Sequence, residues 1–553
     1  MAFHRTARPA GRQVVVPAAG DAQTWPGLAR LEVLLAVAAF AVLCAMALSV
    51  APRLNADGYA YRASIIAMTD GHFLTLSTAQ AQALAGQLDR CPPSARSCQF
   101  GPRIEFWVQL PGGRWISEKD PGYPFLAAPF QGLGIIRLAP LFYGALGCLG
   151  LFFGARRWLG RFGGAAAVGL FCSSGAALLF AWQDYWPTFT DASLIAAGTG
   201  ALLWAVLAGD AEARRRTWIG LLGFLAIEAA VFVRYTNIVV LGCAVAAVLA
   251  TRRRRPASIP PGALRWWAGS VACFAAGVAV FDDLIYGGPL KSGYRPGEVT
   301  FSLGAILPNL RYVPGYLIQA MPVLALGLVS LAWITGRRVR LRHAAGEQAV
   351  AARRDFAVGL ALAGSWLGVW ALYAAYTWTA RPGIGTWQTA RFYLPAIGAL
   401  ALLGAWLVIQ APSLVRLPGR ASLAASAVPA AAVLVMLFAF GVWSFHDMVN
   451  PGSPAPPPHR CNIGEPHCQV TAPPGAVARN LGGRPFMIMT HAGHGPRDDV
   501  TLRAFWADLM GWRLLLTLTH SGDYSYTDQE EFLSHLVQAG IIPPPWPARS
   551  SPR

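Results

Sequence analysis

One aspartate stands among small and aromatic residues in Asn55-Ala56-Asp57-Gly58-Tyr59-Ala60-Tyr61, directly after an apolar stretch at 31–51. A second charged segment, Glu118-Lys119-Asp120-Pro121-Gly122-Tyr123-Pro124, comes just before the next apolar stretch. A carboxylate fixed where a membrane helix leaves the bilayer has lipid on one side and water on the other. That position suits chemistry between a lipid-borne and a water-borne substrate. The elementary step open to Asp57 is proton abstraction: a carboxylate within hydrogen-bond reach of a hydroxyl can take its proton as the oxygen attacks, typically worth about 10² to 10⁴ in rate. Cations near the same boundary would serve an anionic partner, and arginine suits bidentate phosphate contacts. Arg391 in Ala390-Arg391-Phe392-Tyr393-Leu394-Pro395 is the first candidate, with Arg381, Lys291 and Arg295 behind it. Snorkelling to lipid headgroups explains any of these arginines equally well. Lys291 gains weight from scarcity, because Lys119 and Lys291 are the only lysines in the chain.

The elements that must carry these residues follow from composition. With 55% hydrophobic and 13% charged residues in a chain of 553, the sequence is far from a soluble average. Crossing about 30 Å of hydrocarbon takes roughly 20 apolar residues. Stretches near that length fall at 31–51, 135–155, 162–182, 192–209, 218–234, 237–251, 265–286, 312–336, 356–378, 393–411 and 421–444, eleven spans in all. The arginine-rich loops at 156–157, 214–216, 252–255, 337–342 and 416–420 then share one side with the basic N-terminal segment, and the positive-inside rule makes that side the cytoplasm. The net charge of +18 is thereby accounted for by loops at a membrane, and no nucleic-acid partner is expected. The weak point is 217–251, about 52 Å if it were one helix at 1.5 Å per residue. Arg234-Tyr235-Thr236-Asn237 in its middle argues for two short spans with a tight turn.

The expected architecture is an all-α polytopic membrane protein with a small extracytoplasmic α/β domain at its C-terminal end. It divides into a cytoplasmic segment 1–30, a transmembrane domain 31–444 with an outer loop 52–122, a Pro-rich linker 445–460 and an outer domain 461–553. In that last unit Pro485 to Thr490 and Leu514 to Thr519 read as strands, and Asp499 to Trp512 and Thr527 to Ala539 as helices. No cleavable signal is expected, so the first span stays as an anchor. Cys91 and Cys98 share their spacing with Cys461 and Cys468, and an oxidising exterior would allow two disulfides in any of three connectivities. His491, His494 and His520 suggest zinc, but ordinary loop histidines explain them as well. Glu228 is the mid-span acid, read either as part of a transport path or as a hydrogen-bond partner of a neighbouring helix.

The order and placement of several short motifs resemble the GT-C superfamily of polytopic glycosyltransferases. They are Asp57-Gly58-Tyr59-Ala60-Tyr61, Asp120-Pro121-Gly122-Tyr123-Pro124-Phe125-Leu126, Trp186-Pro187-Thr188-Phe189-Thr190-Asp191, Val233-Arg234-Tyr235-Thr236-Asn237, Tyr286 to Tyr294 and Ala390 to Pro395. The resemblance covers most of 31–411. It implies an inverting transfer of a hexosyl or pentosyl group from a polyprenyl-phosphate sugar to a cell-envelope glycan or protein acceptor, at the outer face of a bacterial inner membrane. In that reading Asp57 is the general base and Arg391 meets the carrier phosphate. Tyr61 or Trp186 would stack on sugar faces, although an interfacial aromatic belt is expected anyway. Asp120 and Asp191 would orient the base or bind sugar hydroxyls, with helix capping the plainer role for Asp191. Many relatives carry a second acid directly after the aspartate; here it is Gly58, which leaves dependence on a divalent metal open. A lipid-linked glycan flippase and a lipid-linked oligosaccharide ligase or polymerase are the competing readings.

Overall fold

The computed structural model describes residues 26–50, 56–88, 107–110, 112–208, 212–254, 259–294, 299–380, 386–414, 435–443 and 445, together with strand backbone within 469–521. The chain begins with α1 (Pro26–Ser49), an apolar helix with no acid in its first turn and no base in its last. The segment that follows folds on itself. It comprises α2 (Ala56–Thr69), β1 (Thr75–Leu76), α3 (Thr78–Gln87), β2 (Trp107–Gln109) and β3 (Trp115–Ser117), the strands pairing antiparallel in the order β1-β3-β2. Ala60, Ala63, Ala67, Leu76, Leu84 and Trp107 form its own apolar cluster, and the Trp107 indole donates to the Ala60 carbonyl at 3.4 Å. A loop expected only to be long is therefore a small cap with a core of its own.

α4 (Gly122–Gly132) leads back to the bundle, with Pro124 in its first turn, where a missing N–H costs no helical bond. Then come α5 (Ala139–Leu159), α6 (Gly163–Cys172), α7 (Gly175–Ala181), α8 (Thr188–Leu207), α9 (Ala213–Val233), α10 (Ile238–Arg254), α11 (Pro261–Tyr286), α12 (Ile306–Ala320), α13 (Val323–Arg340), α14 (Glu347–Ala374), α15 (Thr386–Tyr393) and α16 (Ile397–Leu414). The α5–α8 seam is made of small residues: a methyl group at Gly154 would lie 2.5 Å from the Gly200 carbonyl oxygen. Such seams let helix backbones approach closely where lipid offers no hydrophobic drive for association.

Among the described residues eight helices are long and apolar enough to cross a membrane, or ten if each of two bent pairs is one span. The bent pairs are α6 with α7, at 69°, and α12 with α13, at 105°. These correspond to the stretches expected at 162–182 and 312–336; the eleventh expected span, 421–444, lies mostly outside the described residues. The doubtful stretch 217–251 is two helices, broken where Arg234 takes an extended conformation at φ −154° and ψ 107°.

Contacts fix which ends of the helices lie together. Arg157 in the last turn of α5 meets Glu212 at 3.1 Å, and Arg337 near the end of α13 meets Asp355 of α14 at 3.3 Å. The same Asp355 accepts the indole N–H groups of Trp158 in α5 and Trp406 in α16 at 3.1 and 3.2 Å. One basic end of the bundle is thus tied through a buried carboxylate whose charge is matched by arginine and whose oxygens are satisfied, as a buried charge requires.

In the C-terminal region the described backbone is an antiparallel sheet in sequence order: β4 (Gln469–Thr471), β5 (Ala476–Leu481), β6 (Arg484–His491), β7 (Asp499–Asp508) and β8 (Gly511–Ser521). Strands were expected near β6 and β8. The helix expected from Asp499 is instead β7, whose Val500-Thr501-Leu502-Arg503 start alternates apolar and polar residues with the period of a strand. The helix expected at 527–539 and the cysteines at 91, 98, 461 and 468 lie outside the described residues.

Candidate active site

Asp57 lies in the first turn of α2, where the positive end of the helix dipole favours a carboxylate. Arg391 lies in the last turn of α15, where the opposite end favours a cation. The two meet: Arg391 Nη1 donates to Asp57 Oδ2 at 2.6 Å, across 334 positions of sequence. The other carboxylate oxygen, Oδ1, is 2.9 Å from Lys119 Nζ. All three side chains keep a little access to solvent, 21% for Asp57, 11% for Lys119 and 15% for Arg391. Burial alone would raise the Asp57 pKa, but the charges and hydrogen bonds of Lys119 and Arg391 outweigh it and hold the carboxyl well below the usual carboxylate range.

The Arg391 guanidinium is flanked by three rings. Its guanidinium carbon lies 5.4, 4.8 and 4.7 Å from the ring centres of Trp186, Trp378 and Phe392, within the range of cation–π attraction. Its Nε is buried without a hydrogen-bond partner, which leaves one charged donor over. From behind, Arg234 Nη1 donates to the Arg391 carbonyl at 2.9 Å and Nη2 to Thr188 Oγ1 at 3.1 Å, while Nε sits 3.2 Å from Asp191 Oδ2. Asp191 is fully buried and also receives Asn237 Nδ2 at 3.5 Å. The pair Arg234–Asp191 is thus a strut beneath the pair Arg391–Asp57.

Close backbone contacts bring Lys119 into place. A side chain at Gly122 would fall inside the Phe232 backbone, so glycine is what lets the start of α4 press on the end of α9 beside Arg234. On the other flank a methyl group at Gly293 would lie 2.6 Å from Glu118 Cα, and the neighbouring Tyr294 ring lies 5.3 Å from Lys119 Nζ. Asp120 is half-buried next to Lys119, and burial pushes its carboxyl up to about 7 against the pull of Arg234 and Lys119.

Of the residues expected at the site, Asp57, Arg391, Asp120 and Asp191 are brought into one connected cluster. Tyr61 is buried 5.9 Å edge-on to Tyr123, whose hydroxyl donates to the Asp184 carbonyl. Trp186 is buried as well, stacked on Phe180 and packed against Arg391. Both rings are walls in this state rather than open platforms. Lys291 is exposed in the loop after α11, and Arg381 and Arg295 lie outside the described residues. Lys119, absent from the candidates the sequence offers, completes the site, and the scarcity that favours Lys291 marks it equally. Glu228 accepts from Ser270 Oγ at 3.0 Å, the hydrogen bond between neighbouring helices that was one of its two readings. Among the described residues no three His, Cys, Asp or Glu side chains converge to hold a metal ion. Both Asp57 oxygens already face organic cations, so the residues present do not fit a divalent metal at this carboxylate.

Compared with solved structures, the chain is similar to ArnT from Cupriavidus metallidurans bound to undecaprenyl phosphate, at 15% identity and a TM-score of 0.43, over 77% of this chain and 70% of that one. The apo state of the same protein gives 16% and 0.41. The Archaeoglobus fulgidus oligosaccharyltransferase in its apo form gives 12% and 0.40, over 74% of this chain and 56% of that one. The likeness is one of overall fold, and no residue's role follows from it. No family model and no curated protein matches the chain.

Proposed function

We propose that this protein is an integral-membrane glycosyltransferase that takes a sugar from a polyprenyl-phosphate donor and attaches it, with inversion, to a hydroxyl of a cell-envelope acceptor on the outer face of the membrane. The observation that supports this most is the meeting of one carboxylate and two cations, Asp57 with Lys119 and Arg391, at a partly accessible position. In the transfer the acceptor oxygen bonds to the anomeric carbon, the bond from that carbon to the phosphate oxygen breaks, and its electron pair stays on the phosphate. The acceptor proton goes to Asp57. A phosphate leaving group needs no proton to depart, so one base suffices for a single displacement. The charge that develops on the phosphate is what Arg391 and Lys119 stabilise, and cations fixed in advance favour the transition state over the ground state. Arg234 and Asp191 act behind them as positioning residues.

The test is transfer by the purified chain in lipid, with labelled polyprenyl-phosphate sugars and a membrane acceptor extract. Asp57→Asn is expected to lower the rate about 10²- to 10⁴-fold, while Glu228→Gln keeps near-normal transfer. Normal transfer by Asp57→Asn defeats the assignment. Loss in Glu228→Gln alone, with defective lipid translocation, replaces the transferase by a transporter.

A further inference from the structure

We infer that the donor's own phosphate turns Asp57 into a base, by drawing Lys119 and Arg391 off the carboxylate so that the acceptor is deprotonated only when a donor is in place. This rests on the glycosyl-transfer reading above and deepens it.

The difficulty it resolves is visible in the geometry. Each oxygen of Asp57 has its own cation, Lys119 at 2.9 Å and Arg391 at 2.6 Å. A carboxylate so held has its proton affinity suppressed, and its pKa is indeed driven down despite burial. General-base efficiency is greatest for a group whose pKa lies near the working pH, so in this state Asp57 is badly suited to abstract a proton. The same two cations are what a phosphate would seek. Lysine and arginine against one aspartate leave the trio with one net positive charge, and Arg391 has an unpartnered Nε–H besides. An anion entering here competes directly with Asp57.

The competition strengthens during the reaction itself. The donor is a phosphodiester with a single negative charge; as the anomeric C–O bond breaks, the phosphate becomes a monoester and gains a second. Lys119 and Arg391 are pulled harder toward it just as the attacking hydroxyl becomes more acidic, and the proton affinity of Asp57 rises in step. The proton passes from the acceptor oxygen to Asp57, the C–O electron pair to the phosphate, and no other reactant is needed. When the polyprenyl phosphate leaves, the cations return to Asp57 and its proton is expelled to water, to which the side chain retains 21% access.

The surroundings permit this exchange. Lys119 has a flexible stem and lies against the Tyr294 ring at 5.3 Å. Arg391 needs only a rotation about a backbone already held by Arg234. The other titratable groups facing the trio do not take its place. Tyr376 and Tyr61 are pushed up by burial, Tyr376 to about 12, and stay neutral. Arg234 is engaged by Asp191, and Asp120, which directly follows Lys119, is already held by a hydrogen bond from the Tyr235 backbone and by the charge of Arg234.

Two measurements on the full chain in lipid nanodiscs test the idea, with undecaprenyl phosphate as the probe. In the first, Asp57→Asn removes the competitor, and it should bind undecaprenyl phosphate at least about tenfold more tightly than the wild type, whereas Lys119→Met and Arg391→Met should bind about tenfold more weakly. In the second, infrared titration of the wild type, with the Asp57 carboxyl band assigned by its loss in Asp57→Asn, should show that band titrating at least one pH unit higher when the lipid is bound. Weaker or unchanged binding by Asp57→Asn, or a band that does not move in the wild type, overturns the exchange while leaving the transferase reading intact. No binding of polyprenyl phosphate at all, or binding indifferent to Lys119 and Arg391, defeats the transferase reading itself.

Discussion

Asp57 meets Lys119 in space and Asp120 follows it in sequence, and the environments of the two carboxylates push them in opposite directions. Two cations in contact hold Asp57 ionised, whereas Asp120 is dominated by burial and rises to about 7. The sign of the consequence for stability follows from proton linkage. Between about pH 4 and 7 the folded chain keeps a proton on Asp120 that the unfolded chain has lost, so this group's contribution to stability is present at low pH and falls as pH rises through 7. Asp120→Asn should therefore melt higher than the wild type at pH 8 and close to it at pH 4, a difference readable by thermal unfolding in detergent; a gap that widens toward low pH contradicts the assignment. Lys119 carries the opposite lesson. Its residue type and its motif were legible, but which of two lysines reaches Asp57 was set by where their loops fold.

The elements that place the site do so through backbone contact as much as through side chains. α4 touches the end of α9 at Gly122, and the loop after α11 touches Glu118 at Gly293, so the Lys119 segment is gripped from both flanks. Gly122→Ala sets a methyl group against fixed backbone and should cost about 1 to 3 kcal/mol, as overpacking does, with a fall in transfer rate as the Lys119 segment shifts. Gly269→Ala in α11 is the contrasting case. Nothing lies within 4 Å of its added methyl group, and alanine is the better helix former by about 0.8 to 1.0 kcal/mol, so unfolding should show unchanged or slightly raised stability. Equal losses in the two variants would show that close contact at Gly122 is not what matters. At this scale the sequence pattern failed at β7, where a run of mixed apolar and polar residues fits either period until pairing with β6 and β8 selects the strand.

For the whole molecule the governing fact is that the chain has two chemically different ends. The Asp355 network gathers the arginine-rich helix ends, and the Asp57 cluster gathers the acid and aromatic motifs between spans. Orientation can be read by thiol labelling in a variant without native cysteines. A cysteine at Leu290, 95% exposed after α11, should react with an impermeant maleimide in intact cells, and one at Glu212 only after the membrane is opened; the reverse pattern would place the cluster on the cytoplasmic face.

Hydropathy and arginine placement determined the membrane class, the helix positions and the break at Arg234, because each depends on the local cost of putting polar groups in hydrocarbon. The chemical candidates Asp57 and Arg391 were legible for the same reason, as charges at the ends of apolar stretches. Only the tertiary structure decided that they touch, that Lys119 completes the trio, that Asp191 is a buried strut and that Tyr61 and Trp186 are walls. Those outcomes depend on contacts between residues tens to hundreds of positions apart, settled by which glycines allow backbones to meet, and no local pattern encodes them.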